Sequence, residues 1–409
     1  MITNLKIGLF GFGCVGQGLY DVLSKSSGIK ADIVKICVKD RNKSRKLPMD
    51  YFTFEKGDIL ANPDINLVVE LIDDADEAFN IVKAAMSSGK SVVTANKKMV
   101  ANHLTELVEL QKQYNVSLLY EASSCGSIPI IRTLEEYYDN ELLFSVSGIF
   151  NGSSNYILSK IFNEQLDYGT ALKQAQDLGF AESNPLLDVG GFDAKYKLTI
   201  ITAHAYGVFI HPDAILNLGI QNLALADIEY ARQKGKKIKL VNVVRKLNDD
   251  EITVHVMPTF VAPHQYLYFV ENEFNGVIVE AAFSDKQFYL GKGAGGHPTG
   301  SAVLSDISAV TYDYKYAYHK SLQAKKISYS TDVLVELYVR YSDAAELDLV
   351  KFETTSEKGD GYVTGTARLE NLLKNKEALQ SSKLFIANTG RTVSQAVEAG
   401  EALAGVEKG

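Results

Sequence analysis

The chain has 409 residues, 46% of them hydrophobic and 22% charged, with a net charge of −8. That length implies two or three globular domains with cores that need no disulfide staples, and the acidic balance argues against a nucleic-acid partner. Cys14, Cys37 and Cys125 form no CxxC pair, which argues against a disulfide framework or structural zinc. The absence of a leader-like start or a bilayer-length apolar run leads to the expectation of a cytoplasmic protein with no membrane partner.

In chain order, residues 5–10 (LKIGLF) read as a buried strand, followed by glycines and an amphipathic helix near Val15–Ser24. Strands are expected at 33–38, 67–72, 90–94 and 116–120, with helices through Ala78–Met86 and around Leu104–Tyr114. This alternation predicts an α/β domain over about 1–130, built on a doubly wound parallel sheet of Rossmann type. From about residue 131 the pattern changes. Helical stretches at 153–178 and 193–206 flank a polar loop, and strand-like runs follow at 238–245, 252–257, 276–283 and 287–290. These predict an α+β second domain over 131–324. A glycine cluster at 291–296 precedes a helix from Pro298 to about Val310, expected to pack back on the first domain. The tail, 325–409, reads as a small separate α+β module. Its strands fall near 332–341, 348–354, 361–366 and 383–388, with a helix near 367–379.

Gly11-Phe12-Gly13-Cys14-Val15-Gly16 is a G-x-G-x-x-G that follows a strand and opens a helix. The first glycine permits the tight turn, the second lets backbone approach a pyrophosphate, and the third lets helix and strand pack. The helix start then offers free N–H groups to the phosphates. The pattern points to NAD or NADP. At the end of the second strand, Asp40 could hold the ribose hydroxyls of NAD, while Lys39, Arg41 and Lys43 could neutralise the 2′-phosphate of NADP. A solvated charged turn accounts for the same residues, so the choice stays open, with basic charge leaning towards NADP.

Further segments resemble the homoserine dehydrogenase family over about 1–320. They are Val93–Lys98 (VTANKK), Tyr120–Ile130 (YEASSCGSIPI), Gly148–Leu158 (GIFNGSSNYIL), Leu178–Pro185 (LGFAESNP), Leu187–Asp193 with Lys197, and Gly293–Gly296 leading into Pro298-Thr299. Asp193 and Lys197 are spaced i, i+4 and share a helix face. Alone, that spacing reads as an exposed surface pair. With Glu182 and Asp188 just ahead of it, three carboxylates and one amine converge, which suits a zwitterionic amino acid. The resemblance implies NAD(P)-dependent interconversion of aspartate 4-semialdehyde and homoserine, with threonine and methionine biosynthesis as its setting. It implies Lys97 as acid/base, Lys197 and Asp193 positioning the reacting oxygen, and Glu182, Asp188 and Ser153 also binding substrate. It extends the cofactor candidates to Cys14, Val15, Ile72, Asp73, Thr94, Asn96, Lys97, Gly293 and Gly295. A Na⁺ site at Glu121, Ser124, Gly126 and Ile128, partly through backbone carbonyls, is implied too. A structural glutamate taking backbone hydrogen bonds reads equally well at Glu121. The strand-rich region 238–290 is expected to pair between two subunits of a homodimer.

The chain departs from the family after Glu70-Leu71-Ile72, where glycines are usual and Asp73-Asp74 stand instead. Carboxylates beside the cofactor motivate a second reading, a catalytically weakened dinucleotide-binding sensor. Retention of Lys97, Glu182, Asp193 and Lys197 together argues against it. The tail shows no clear amino-acid-sensing domain, although a degenerate module of that kind fits its length.

Overall fold

The computed structural model describes residues 4–140 and 142–393. Among them the strands form two sheets. The first contains β1 (Leu5–Phe10), β2 (Ala31–Cys37), β3 (Phe52–Thr53), β4 (Leu67–Glu70), β5 (Ser91–Thr94) and β6 (Leu118–Leu119). All pairs are parallel, in the order β3-β2-β1-β4-β5-β6. That is the dinucleotide-binding order, with the switch point between β1 and β4, where a ligand sits beyond the strand ends. Leu5, Ile7, Leu9, Leu67, Val68, Val69, Val92 and Val93 are buried, as a sheet covered on both faces requires.

Helix Cys14–Lys25 follows β1, and helix Ala75–Ser87 follows β4. Helix Lys97–Tyr114 follows β5 and begins seven residues before the expected Leu104. Asn96 explains the early start: its side chain caps the helix by accepting from Met99 N at 3.0 Å.

The second sheet is mixed. It contains β7 (Leu143–Ile149), β8 (Leu216–Asn217), β9 (Lys237–Lys246), β10 (Glu251–Val261), β11 (Phe274–Ala281) and β12 (Asp285–Lys292). It continues with β13 (Ser328–Tyr329), β14 (Leu334–Arg340), β15 (Phe352–Gly359), β16 (Tyr362–Arg368) and β17 (Phe385–Val393). The main path runs β12-β11-β7-β9-β10-β17-β14-β16-β15, with β8 and β13 also pairing with β10. Sequence reasoning overlooked β7, whose LFSVSGI lacks an apolar run. Gly148 lets it approach β11 closely, since a Cβ there would lie 2.1 Å from Gly276 O. The expected helical stretch 153–178 is two helices, Gly152–Glu164 and Tyr168–Asp177. Gln165 ends the first in a left-handed conformation, and Asp167 caps the second.

The tail differs from the separate unit expected. β17 pairs in parallel with β10, Thr259 facing Asn388, and antiparallel with β14, so the tail extends the second sheet. Its core (Val335, Leu337, Val339, Leu369, Leu372, Leu384 and Ile386) packs on Leu216, Leu218 and Met257. Helix Gly296–Val310 returns to the first sheet and crosses helix Cys14–Lys25 at glycines. A Cβ on Gly18 would stand 2.0 Å from Gly296 O, and one on Gly300 would stand 2.6 Å from Leu19 N. Among the described residues no helix is long and apolar enough to cross a membrane.

Candidate active site

The glycine loop after β1 is shaped for phosphate. Gly11 has φ +91°, and a Cβ there would lie 2.6 Å from Leu71 O; one on Gly16 would lie 2.6 Å from Gly11 O. Gly13, by contrast, has nothing within 4 Å of a Cβ position, leaving open space at the helix start where a pyrophosphate fits. On one side lies a cleft of about 250 Å³ bordered by Gly11, Gly13, Lys39, Asp40, Lys43, Arg45, Lys56 and Ile72. Arg41 does not border it; its guanidinium lies 4.6 Å from the Phe54 ring centre and 3.5 Å from Glu55. Arg45 and Lys56, which sequence reasoning did not single out, bring the cleft two further cations.

On the other side lies a cavity of about 500 Å³. Cys14, Val15, Ile72, Asp73, Ala95 and Lys97 line it from the first domain. Asn151, Ser153, Glu182, Asp188, Asp193, Lys197, Gly293, Gly295 and Thr299 line it from the second. It therefore joins the phosphate loop to the predicted substrate residues. Asp73 faces this cavity, while Asp74 caps helix Ala75–Ser87 by accepting from Glu77 N at 3.0 Å and lies 3.8 Å from Lys39. Thus one of the two departures from the family pattern is a helix cap.

Asp193 is the centre of charge. Its Oδ1 lies 2.8 Å from Lys97 Nζ, and its Oδ2 lies 2.8 Å from Lys197 Nζ. The side chains of Asp193 and Lys197 are only 8% and 9% exposed, so the i, i+4 pair is a buried ion pair and no surface ornament. Lys197 also donates to Phe150 O at 2.7 Å. Its ammonium has three donors, so one remains for a substrate oxygen. Lys97 begins its helix, where the helix dipole disfavours a cation. The Asp193 carboxylate compensates and, against the opposing effect of burial, holds Lys97 above its ordinary value. Burial alone would raise Asp193, but Lys197 and Lys97 outweigh it and hold its carboxyl below the usual range. Asp188 is pushed up to about 6 by burial and by the Asp193 charge. Glu182 is exposed on the cavity wall, and Ser153 donates to Phe180 O.

Other predicted residues stand behind the wall. Thr94 is buried and donates to Glu70 Oε2 at 2.6 Å, while Asn96 donates to Ile72 O at 3.0 Å; neither borders the cavity. They fix the β4 loop that carries Ile72 and Asp73. Glu121 spends its two carboxylate oxygens on Ile131 N and Arg132 N, both at 2.8 Å. Those bonds account for its burial without an ion. Glu121 O and Ile128 O accept from Ser124 N and Ile130 N. Gly126 lines the cavity; Ser124 is buried away from it. The Glu121 carboxylate therefore has a structural role, one of the two readings the sequence left open for it. Among the described residues no cluster of His, Cys, Asp or Glu suits a metal.

Residues 129–308 match the family profile described as homoserine dehydrogenase, and residues 11–121 match that of the homoserine dehydrogenase NAD binding domain. The homoserine dehydrogenase of Bacillus subtilis is 36% identical over 315 residues, covering 75% of this chain and 72% of that one. The chain belongs to the homoserine dehydrogenase family. The Helicobacter pylori homoserine dehydrogenase is 37% identical over 314 residues, covering 75% of this chain and 74% of its own length. The homoserine dehydrogenase structure from Thiobacillus denitrificans superposes with a TM-score of 0.80 at 27% identity, covering 95% of this chain and 99% of that one. A hyperthermophilic archaeal homoserine dehydrogenase mutant in complex with NADPH superposes at 0.65 and 25% identity, covering 77% and 99%. Family membership makes the chain an NAD(P)-dependent oxidoreductase acting on CH–OH.

One buried group lies outside this site. Lys195, on the catalytic helix Phe192–Tyr206, is 3% exposed and has no ion pair among the described residues. Its Nζ sits 5.1 Å from the Phe192 ring centre. Burial, then the Lys376 charge, pulls its amine down to about 8. A lowered folded-state pKa means that the proton is disfavoured in the native protein. The penalty is complete below pH 8 and fades as pH rises towards the ordinary lysine value near 10.5. Lys195→Met is therefore expected to raise Tm by a few degrees at pH 7, with the gain shrinking between pH 8 and 10. Calorimetry across that range checks it, and a gain that grows with pH would contradict the sign.

Proposed function

We propose that this chain catalyses the reversible reduction of L-aspartate 4-semialdehyde to L-homoserine with NADPH or NADH, in threonine and methionine biosynthesis. The observation that carries the reading is Asp193 gripped by Lys97 and Lys197 in a cavity that reaches the Gly11–Gly16 loop. When bound, the nicotinamide supplies the hydride. Glu182 and Asp188 take the substrate ammonium. The spare N–H of Lys197 meets the carbonyl oxygen and stabilises the negative charge that develops there. Lys97, 41% exposed against 9% for Lys197, gives that oxygen its proton and regains one from solvent. In the reverse direction Lys97 first releases a proton to solvent and then, as the neutral amine, accepts the hydroxyl proton, and the Asp193 charge stabilises the ammonium that results.

The test is nicotinamide absorbance with aspartate semialdehyde or homoserine. A protein that binds dinucleotide but turns over neither substrate would revive the sensor reading. Lys39, Lys43, Arg45 and Lys56 around the 250 Å³ cleft favour NADP. Lys39→Ala with Lys43→Ala is expected to raise KM for NADPH more than for NADH; equal effects would remove the argument. The remaining assignments are a division near residue 130, a cytoplasmic setting supported by three free cysteines, and a homodimer. For the dimer, the supporting feature is the sheet face bearing Val243, Ile278 and Phe288. Sedimentation as a monomer at micromolar concentration would contradict it.

A further inference from the structure

Asn151 stands between buried Asp193 and half-buried Asp188. One side-chain amide nitrogen donates to Asp188 Oδ1 at 2.7 Å and to Asp193 Oδ2 at 2.9 Å. The side chain is almost fully buried and borders the 500 Å³ cavity. Its oxygen has another task, accepting from Ser154 N at 2.8 Å to cap helix Gly152–Glu164. An amide nitrogen can only donate, so both carboxylate oxygens it meets must accept.

We propose that Asn151 is a positioning residue that yokes Asp188 to the Asp193–Lys97–Lys197 cluster and keeps Asp188 ionised and aimed at the ammonium of the amino-acid substrate. The inference rests on the substrate reading above. Three features carry it. First, Asp193 already faces the ammonium groups of Lys97 and Lys197 and accepts from Asn151, so its charge is more than balanced and it attracts a further ammonium weakly. Second, Asp188 has no direct ion pair among the described residues; only Asn151 ties it to the cluster. Third, because Oδ1 is held as an acceptor, any proton on Asp188 sits on Oδ2, and taking it abolishes the charge an ammonium needs.

The charged groups around Asp188 are Asp193 and Lys197 on helix Phe192–Tyr206, Lys97 on its own helix, and Glu182 on the same cavity wall. Burial and Asp193 push Asp188 towards protonation; the amide bond, Lys197 and Lys97 oppose this. Removing the amide tips the balance towards the acid form near neutral pH.

The experiment separates yoke from cap. Asn151→Ser and Asn151→Asp both keep a good helix cap but lose the bridging donor, and Asp adds a third carboxylate. At pH 7, Asn151→Ser is expected to raise KM for homoserine about tenfold while kcat stays within about threefold. The acid limb of kcat/KM should move up by about one pH unit, and further in Asn151→Asp. The carboxyl resonance of ¹³C-labelled Asp188, followed by NMR without substrate, should titrate upward by the same amount. If Asn151 only caps its helix, both variants keep the parent's pH profile and Asp188 titration, and the proposal is overturned. The NMR titration distinguishes the two levels: no homoserine turnover in the parent protein defeats the functional reading, whereas an unmoved Asp188 titration defeats the yoke. Thermal unfolding of each variant shows that it is folded at the assay temperature.

Discussion

Lys197→Ala is expected to lower kcat/KM roughly 100-fold or more, about 3 kcal/mol of transition-state stabilisation. The size follows from the geometry. The Lys197 ammonium is buried, tied to Phe150 O at 2.7 Å and to Asp193 Oδ2 at 2.8 Å, with one donor free. Water that replaced it would carry no charge and no fixed direction. The loss should fall mainly on kcat, because the alkoxide charge exists only as hydride arrives. Lys97→Ala should also reduce kcat while leaving dinucleotide affinity unchanged, since its partner is the reacting oxygen. Either variant leaves Asp193 with one lysine, which keeps the buried carboxylate paired and the protein folded. Steady-state kinetics with circular dichroism would decide. Near-normal turnover in both folded variants would remove the lysine mechanism while leaving the family assignment intact.

Gly18→Val is expected to destabilise the protein by at least about 3 kcal/mol, and to weaken dinucleotide binding in whatever fraction stays folded. A Cβ at Gly18 would stand 2.0 Å from Gly296 O, a backbone atom that no rotamer change can move. Helix Gly296–Val310 would have to lift away. The Gly293–Gly295 turn just before it, which lines the cavity, would move with it. Gly28→Ala is the control, since nothing lies within 4 Å of a Cβ there. Urea titration of both variants checks the difference; an unchanged midpoint for Gly18→Val would refute the crossing.

What could be read from the sequence was local. The Gly11–Gly16 loop was legible because each glycine meets a backbone demand within its own strand–turn–helix. The Asp193–Lys197 pairing was legible from spacing, but its burial was not: spacing on a helix is the same at a surface and in a core. Beyond the family resemblance, the one signal Lys97 carried was its place just after a strand, at the carboxyl edge of the sheet. Asn151 lay inside a motif already noted, yet its partners at 188 and 193 come from two other helices, Leu186–Val189 and Phe192–Tyr206, and only the folded chain brings them together. Its one local signal was the asparagine just before a helix, a cap. Thr94 and Asn96 fell in a recognised motif but hold the β4 loop from behind. The tail was misread as separate for the same reason. Nothing local in Phe385–Val393 reveals that its neighbour is β10, far earlier in the chain.

That last strand has a consequence for how the protein is made. β17 lies between β10 and β14, both of which precede it in the chain. A ribosome therefore releases two strand edges well before the segment that joins them. Until that segment emerges, β14 and the end of β10 around Thr259, beyond the stretches that β13 and β8 cover, present bare N–H and C=O groups to any other extended chain nearby. Helices and the first parallel sheet can settle early, but the second sheet is continuous only after residue 385 is out. The nascent protein is thus most vulnerable to aggregation and proteolysis late in its synthesis. Nonsense or frameshift lesions a few codons before β17 would be expected to cost solubility while leaving each residue of the catalytic cluster in the chain.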